Sequence, residues 1–246
     1  MRPILFYIGS IPIRAWGVFV ATGFLVGLFF AKLRAKEKGI EAALIYDLAF
    51  WLLLSGIVGA RLFYVLGHTD YFFQHPTEII YINQGGMAVF GSITLGFLVA
   101  VIFCIQHKIS FFMLGDIVVP GLLIGQAIGR IGCFFNACCY GSIANVPWAV
   151  KFPELIGHRH PTQLYEAVLD FIVFGFLWIL RDRFVKKGTM FLSGIAFYSA
   201  IRFLVELMRV SSGRIIWLSI SSTITVASLI GLIVISLKQS GIADNS

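Results

Sequence analysis

Seven apolar runs, each about long enough to cross a bilayer, dominate this chain of 246 residues. A spanning helix needs roughly 20 mostly apolar residues. The runs cover about residues 15–33, 43–65, 87–106, 111–129, 163–180, 189–208 and 215–237. We therefore predict an all-α integral membrane protein of about seven transmembrane helices, forming one membrane-embedded domain over residues 1–246.

Composition excludes a soluble globule. Hydrophobic residues make up 59% of the chain and charged residues only 13%, which leaves too little polar surface for a water-soluble protein of this length. The formal net charge of +7 could suggest a nucleic-acid partner. Because the basic residues sit in short clusters between apolar runs, we predict membrane lipid and no nucleic acid as the surroundings.

The basic clusters also predict orientation. Lysine and arginine lie between the first and second runs and between the fifth and sixth, whereas residues 66–86 contain neither. Loops rich in these residues face the cytoplasm. With seven spans, this rule places Met1 outside the cell and the tail at Lys238 in the cytoplasm.

The first 14 residues show no basic segment followed by a small-residue cleavage site, so we expect this segment to remain in the protein. Pro3, Gly9 and Pro12 interrupt any long helix, while most of their neighbours are apolar. Such a segment is predicted to form a short interfacial arm.

Ionisable residues fall inside or at the ends of the runs, where a charge requires a partner or a water-filled cavity. They are Asp47, Arg61, Asp116, Arg130, Glu166, Asp170, Arg202, Glu206 and Arg209. Tyr198, Arg202 and Glu206 are spaced four apart and therefore share one helical face, with Arg209 three residues further along. This face predicts either an anion site or a structural ion-pair network between helices.

The stretch GQAIGRIGCFFNACCYG, residues 125–141, surrounds Arg130 with four glycines. Glycine removes side-chain bulk, so backbone, a neighbouring helix or a lipid headgroup can approach closely. We expect Arg130 to lie where the fourth run leaves the hydrocarbon. The stretch predicts either a headgroup site or a helix end with a snorkelling arginine.

Four motifs resemble those of the bacterial prolipoprotein diacylglyceryl transferases. They are QGGMAVFGSITLG at 84–96, GRIGCFFNACCYG at 129–141, HPTQLYEA at 160–167 and YSAIRFLVELMR at 198–209. Weaker likenesses occur in IRAWGVFVATGF and GARLFYVL. The motifs stand in the family's order and, with the seven runs, cover most of the chain.

The resemblance implies transfer of the diacylglyceryl group of phosphatidylglycerol to the lipobox cysteine of a preprolipoprotein, with release of glycerol 1-phosphate, in the bacterial cytoplasmic (inner) membrane. It implies catalytic roles for Arg130 on the lipid phosphate, for Arg202 on the same headgroup and for Tyr198 as a hydrogen-bonding group. The further substrate-binding residues that it implies are Asn136, Gly141, Arg61, Gln163, Tyr165, Glu166, Glu206 and Arg209. It implies no cofactor and no metal.

The chain also departs from the family pattern. Cys133 replaces an asparagine, Cys138 a glutamate, Phe90 a histidine or tyrosine, and Trp16 a tyrosine. Phenylalanine cannot remove a proton, so deprotonation of the acceptor thiol falls to another residue, such as His160, or to solvent. Two alternatives stay open: a divergent transferase with another acceptor, and a non-catalytic protein that binds or translocates phospholipid.

Cys133, Cys138 and Cys139 form a cluster whose spacing does not fit a standard zinc site. Three interpretations remain for it. The thiols could fill space as small apolar groups, Cys133 could form a disulfide with one of the other two, or one thiol could carry the diacylglyceryl group in a covalent intermediate.

Overall fold

The computed structural model describes residues 3–81, 85–153, 155–210 and 214–243. Within these residues seven helices are long and apolar enough to cross a membrane. They are α1 (Ala15–Glu37), α2 (Ala42–Leu66), α4 (Val89–Gln106), α5 (Phe111–Phe135), α6 (Thr162–Ile179), α7 (Thr189–Met208) and α8 (Arg214–Ala243), with the short helix α3 at Thr69–Gln74. The prediction of an all-α, multi-pass membrane protein is confirmed. Met1, which was predicted to lie outside the cell, and Gln84, the first residue of one motif, are not among the described residues.

Most predicted spans begin and end within a few residues of the observed helices. The last one differs, because α8 continues to Ala243, past the predicted end at 237, and α5 differs as well. We predicted its end at residue 129, whereas the helix continues to Phe135. The glycines of this segment did not end the helix, because the chain leaves helical geometry only at Ala137 and Cys139, whose φ angles are 53° and 66°. Arg130 therefore lies within α5, more than a turn before its end. Its location where the run leaves the hydrocarbon stays a prediction.

The segment before α1 is an antiparallel hairpin of β1 (Ile4–Ile8) and β2 (Ile11–Arg14). Gly9 connects the strands with a φ of 61°, a value that glycine adopts without strain. We predicted a non-helical arm but not its strands, although isoleucine, phenylalanine and tyrosine, which are enriched in strands, make up most of the two segments together. Its location at the membrane interface stays a prediction.

Smaller elements complete the chain. Two 3₁₀ helices span Pro76–Ile80 and Arg181–Arg183, and β3 (Val150–Lys151) pairs antiparallel with β4 (His158–Arg159) in the connection between α5 and α6. The chain divides into two compact units, one of Met1–Arg34 with Gly115–Ser246 and one of Ala35–Leu114. A single domain over residues 1–246 therefore stays a prediction, and each unit is described by itself.

Glycines bring two helices of the first unit into backbone contact. A Cβ atom added to Gly27 of α1 would lie 2.5 Å from the carbonyl oxygen of Gly121 in α5, and one added to Gly23 would lie 2.6 Å from that of Gly125. Small residues one turn apart allow this approach in membrane helices. Gly125 therefore serves helix packing, one of the roles that we expected for the glycines of this stretch.

The same unit has an apolar core shared by α5, α6 and α7. Its buried members are Val119, Leu123, Val173, Leu177, Met190, Ile201 and Val205. Asp116 of α5 lies beside the start of α7, where its carboxylate accepts hydrogen bonds from the Gly188 N–H at 2.6 Å and the Phe191 N–H at 2.8 Å. This intramembrane charge is thus explained by the unpaired N–H groups at a helix N-terminus.

Candidate active site

Glu166 lies between two arginines in the interior of the first unit. Its Oε1 atom is 2.8 Å from Nη2 of Arg130, and its Oε2 atom is 3.7 Å from Nη1 of Arg202. Arg202 also donates from Nη2 to Oε2 of Glu206 at 2.5 Å. Helices α5, α6 and α7 thus meet in a chain of alternating charges, which we call the arginine–glutamate cluster (Arg130, Glu166, Arg202, Glu206).

The cluster is buried among apolar helices. Side-chain exposure is 2% for Glu166, 0% for Glu206 and 8% for Arg202, whereas Arg130 keeps 15%. The shared face predicted for α7 is confirmed for Arg202 and Glu206, which pair one turn apart. Arg130 is the member most open to a ligand, and a Cβ atom added to Gly129 beside it would meet nothing within 4 Å.

Gln126 extends the cluster by one turn of α5. We orient its amide so that the oxygen faces Arg130, where it accepts from Nε at 3.1 Å and Nη2 at 3.2 Å and from the Tyr198 hydroxyl at 3.2 Å. Tyr198 is thereby tied to Arg130 through one side chain. Gln126 was not among the predicted site residues, although a glutamine four residues before an intramembrane arginine shares its helix face and is a detectable signal.

Asp170 follows Glu166 by one turn of α6. It is 0% exposed, and neither carboxylate oxygen has a hydrogen-bond partner within the described residues. Buried polar atoms are nearly always paired, so this carboxyl group is an unusual feature of the site. We had flagged Asp170 as an intramembrane charge without assigning it to the site.

The segment after α5 is fastened to the first turn of α6. Gln163 donates from Nε2 to the carbonyl of Cys138 at 2.5 Å, and Thr162 donates from Oγ1 to the carbonyl of Cys139 at 2.7 Å. A Cβ atom on Gly141 would lie 2.7 Å from Cβ of His160. Gln163 and Gly141 therefore help to hold this segment, and substrate binding by these two residues stays a prediction.

Tyr165 and Asn136 do not contact Arg130 through hydrogen bonds in the described structure. The Tyr165 hydroxyl accepts from Nε1 of Trp148 at 2.8 Å and lies 3.0 Å from Nδ1 of His160. The Asn136 N–H donates to the carbonyl of Gly132 at 3.0 Å, directly after the end of α5. Substrate binding by these two residues stays a prediction.

Arg209 lies directly after α7, where its backbone forms a β-bridge with Gly141. Its Nε atom is buried without a hydrogen-bond partner among the described residues. The guanidinium interacts electrostatically with Cys139, as does that of Arg130. Arg209 therefore brings a second positive charge, beside that of Arg130, to the segment that follows α5.

Arg61 belongs to the second unit and has a different environment. Its guanidinium donates to four backbone carbonyls, those of Ile79 at 2.8 Å, Glu78 at 2.6 Å, Gly85 at 2.9 Å and Gly86 at 3.1 Å. It also lines a cavity of about 300 Å³ together with aromatic side chains. These contacts give Arg61 a structural role in the segment after α2, and substrate binding by Arg61 stays a prediction.

The three cysteines converge, which their spacing did not suggest. Every pair of Sγ atoms among Cys133, Cys138 and Cys139 lies within 4.8 Å, and no disulfide joins them. Hydrogen bonds from the Cys133 and Cys138 thiols hold the pKa of Cys139 below its usual range, and the positive charges of Arg209 and Arg130 act in the same direction. Apolar packing of the three thiols stays a prediction.

Comparison with known proteins shows the family of the chain. The sequence model of one family, described as prolipoprotein diacylglyceryl transferase, matches residues 3–239. The chain belongs to the prolipoprotein diacylglyceryl transferase family. The resemblance inferred from the four motifs is thus confirmed.

Relatives named phosphatidylglycerol–prolipoprotein diacylglyceryl transferase align over nearly the whole chain. One from Acaryochloris marina is 39% identical over 94% of this chain and 86% of its own length. One from Nostoc sp. is 36% identical over 98% and 88%, and one from Limosilactobacillus reuteri is 34% identical over 96% and 90%. The arginine–glutamate cluster lies on three of the four motifs of this diacylglyceryl transferase family member. These motifs are on α5, at the start of α6 and on α7.

Proposed function

We infer that this chain transfers the diacylglyceryl group of phosphatidylglycerol to the lipobox cysteine of a preprolipoprotein and releases glycerol 1-phosphate. Family membership and the printed names of the relatives support this activity. The observation that carries it is the arginine–glutamate cluster, in which two guanidiniums converge on Glu166 inside an apolar bundle.

Arg130 holds the phosphate of the donor lipid in this proposal. A guanidinium presents paired N–H donors that match phosphate oxygens and stays charged at membrane depth. Because Arg130 is the most exposed member of the cluster, its open edge meets the headgroup while Glu166 and Gln126 fix its direction. Positive groups fixed before the reaction stabilise the charge that develops on the departing phosphate.

Arg202 contacts the other carboxylate oxygen of Glu166, and in this proposal it binds the same phosphate as Arg130. It is held by Glu206 and lies 5.3 Å from the ring centre of Trp217 on α8. Tyr198, whose hydroxyl is 3.2 Å from the Gln126 amide, supplies a hydrogen bond to the glycerol or phosphate of the donor. Position and chemistry support these proposed roles of Arg130, Arg202 and Tyr198.

The location of the protein follows from the same proposal. We place it in the bacterial cytoplasmic membrane with the N-terminus outside and the C-terminus in the cytoplasm, on the basis of the basic residues at the end of α1 and between α6 and α7. In a cysteine-free background, Lys36→Cys should resist an impermeant thiol reagent added outside, whereas Gln74→Cys should react. The reverse labelling would refute the orientation.

Incubation of the purified protein with phosphatidylglycerol and a lipobox peptide tests the activity. We expect glycerol phosphate release and an equal amount of peptide that has gained a diacylglyceryl group, with no gain on a matched peptide that carries serine. Release without modification of the peptide would indicate another acceptor. Lipid binding without release would favour the non-catalytic alternative, which Phe90 at the family's histidine or tyrosine position supports.

A further inference from the structure

The cysteine cluster (Cys133, Cys138, Cys139) has no role in the proposed function. Its three sulfur atoms all lie within 4.8 Å of one another. Cys133 stands on the last turn of α5, one turn after Arg130, and the other two follow on the segment that leaves the helix. Arg130 and Arg209 both interact electrostatically with Cys139.

The backbone holds this convergence in place from two directions. Cys139 has a φ of 66°, in the left-handed region that is costly for residues other than glycine unless the surroundings enforce it. The carbonyls of Cys138 and Cys139 are held by Gln163 and Thr162 of α6 at 2.5 and 2.7 Å. The segment is therefore fixed to a second helix in a form that brings the thiols together.

We propose that the cysteine cluster binds one thiophilic divalent ion of the Zn²⁺ class and leaves its fourth position for the acceptor thiol. Catalytic zinc sites have three protein ligands and one exchangeable position. Tetrahedral ligands at about 2.3 Å from zinc are about 3.8 Å apart, so the sulfurs need to approach one another by at most roughly 1 Å. Thiolate ligands favour zinc over magnesium or calcium.

The charges of the neighbourhood suit such a complex. Three thiolates and one divalent cation carry a net charge of −1, which is costly in an apolar protein interior unless it is balanced. The guanidinium of Arg209 supplies that balance, and Arg130, whose charge is shared with Glu166, adds to it. The three protons of the cysteine thiols are released to solvent when the ion binds.

This inference rests on the proposed transferase function and supplies its missing step. The lipobox cysteine displaces water from the fourth position and loses its proton to solvent, since thiols that coordinate zinc are deprotonated. The bound thiolate attacks the glyceryl carbon of phosphatidylglycerol, and a carbon–sulfur bond forms. The carbon–oxygen bond to the phosphate breaks, its electron pair stays on the phosphate oxygen, and glycerol 1-phosphate leaves beside Arg130.

The product then leaves the ion because a thioether sulfur carries no negative charge, and water returns to the fourth position. Phe90, at the position where the family has a histidine or tyrosine, cannot remove the thiol proton. An ion in the cysteine cluster would promote deprotonation of the acceptor thiol, one helical turn from Arg130, which holds the donor lipid.

Metal binding is tested with the reduced, full-length protein in detergent, with Co²⁺ as a spectroscopic substitute for Zn²⁺. We expect one ion per chain, with a thiolate-to-cobalt absorption band. Cys133→Ser, Cys138→Ser and Cys139→Ser should each weaken binding by at least about tenfold, and Cys104→Ser should not change it. Binding that persists in the triple serine variant, or a disulfide in place of bound metal in the wild type, would overturn the proposal.

The acceptor step is tested by adding lipobox peptides to the Co²⁺ protein. A cysteine peptide should change the visible spectrum as a fourth sulfur enters, and the matched serine peptide should not. An unchanged spectrum with the cysteine peptide overturns the acceptor role of the ion.

Transfer assays separate this inference from the function on which it rests. We expect chelation to reduce glycerol phosphate release at least tenfold and Zn²⁺ to restore it. If the triple serine variant transfers at the wild-type rate, the metal inference fails and the transferase function stands. If the zinc-loaded wild type releases no glycerol phosphate with any acceptor, the transferase function itself fails.

Discussion

Arg61 and Arg130 are both arginines in apolar helices, yet their surroundings differ in kind. Arg61 donates to four backbone carbonyls of one segment, and these acceptors cannot move without unfolding that segment. Arg130 meets side chains, the Glu166 carboxylate and the Gln126 amide, which can shift toward or away from a ligand. The type of partner, more than burial, separates a structural arginine from one that can bind an anion.

The difference has an electrostatic side. Backbone carbonyls satisfy the hydrogen bonds of Arg61 without neutralising its charge, so its fixed donors hold the loop in place. In the arginine–glutamate cluster the charges of two arginines are offset by two glutamates, and an incoming phosphate competes with Glu166 for the same donors. A ligand can therefore enter the cluster by exchange of one anion for another.

The largest effect is expected at Arg130. Arg130→Ala should lower transfer by about 100-fold or more, the range seen when a group that stabilises developing charge is removed. Arg130→Lys should not restore activity, because lysine keeps the charge but lacks the planar pair of donors. Turnover per folded molecule, measured as glycerol phosphate release, checks both.

Cys104→Ala is the matched control for these variants. It lies inside α4, in the second unit and outside the four motifs, and its transfer rate should stay near that of the wild type. Full activity in Arg130→Ala would refute the headgroup role of this arginine.

A smaller effect is expected from Glu166→Gln. The amide keeps the size of the side chain but no longer neutralises Arg130 and Arg202, so the two guanidiniums repel and lose their fixed direction. We expect kcat to fall about tenfold, within the range of a misplaced catalytic group, while KM for phosphatidylglycerol does not rise because the site gains positive charge. An increase in KM at unchanged kcat would contradict this account.

These arginines also show what the sequence could and could not predict. The length of the apolar runs placed all seven spans, and helical spacing placed Arg202 and Glu206 on one face of α7. Periodicity within one helix carries no information about which other helix supplies the partner. The contact of Glu166 with Arg130, and the backbone partners of Arg61, depend on tertiary packing and became visible only in the structure.

The end of α5 shows the same limit. The run was predicted to end at residue 129, but the helix continues past Gly129 and Gly132, because in membrane helices glycine is tolerated where neighbours pack closely. A Cβ atom on Gly132 would lie 2.7 Å from Cβ of Phe19, so this glycine serves contact with α1. The convergence of the three cysteines was missed for a related reason, because it depends on the left-handed turn after Phe135.

Arg61→Lys should lower stability and leave transfer almost unchanged, whereas Arg130→Lys is expected to lower transfer. A lysine ammonium cannot reach all four carbonyls, so buried acceptors lose their partners at a cost of about 2 kcal/mol. We expect a lower thermal unfolding temperature in detergent and near-normal glycerol phosphate release per folded molecule. Loss of turnover without loss of stability would place Arg61 in the substrate site instead.

Two glycines of α5 offer a matched pair within one helix. Gly121→Ala adds a Cβ atom 2.3 Å from the carbonyl oxygen of Gly27, so α1 and α5 must separate, at a cost of about 1–3 kcal/mol. Gly129→Ala enters open space and should change thermal stability little. Equal destabilisation by both substitutions would contradict the observed contact between α1 and α5.

The smallest effect is expected on the pKa of Tyr71, which lies in the segment after α2. Tyr71 donates from its hydroxyl to Oε2 of Glu78 at 2.8 Å, and this hydrogen bond, together with the negative charge of Glu78, raises the pKa of Tyr71. The neutral phenol is the favoured form, so Tyr71 should ionise at a higher pH than an ordinary tyrosine. Glu78→Gln removes the charge and should move the pKa back down toward its usual value, as followed by the phenolate absorbance that Tyr71→Phe eliminates. Because Arg61 holds Glu78 through its carbonyl and not through its carboxylate, Glu78→Gln should leave the unfolding temperature and the transfer rate unchanged; a stability loss like that of Arg61→Lys would show that the carboxylate also holds the segment.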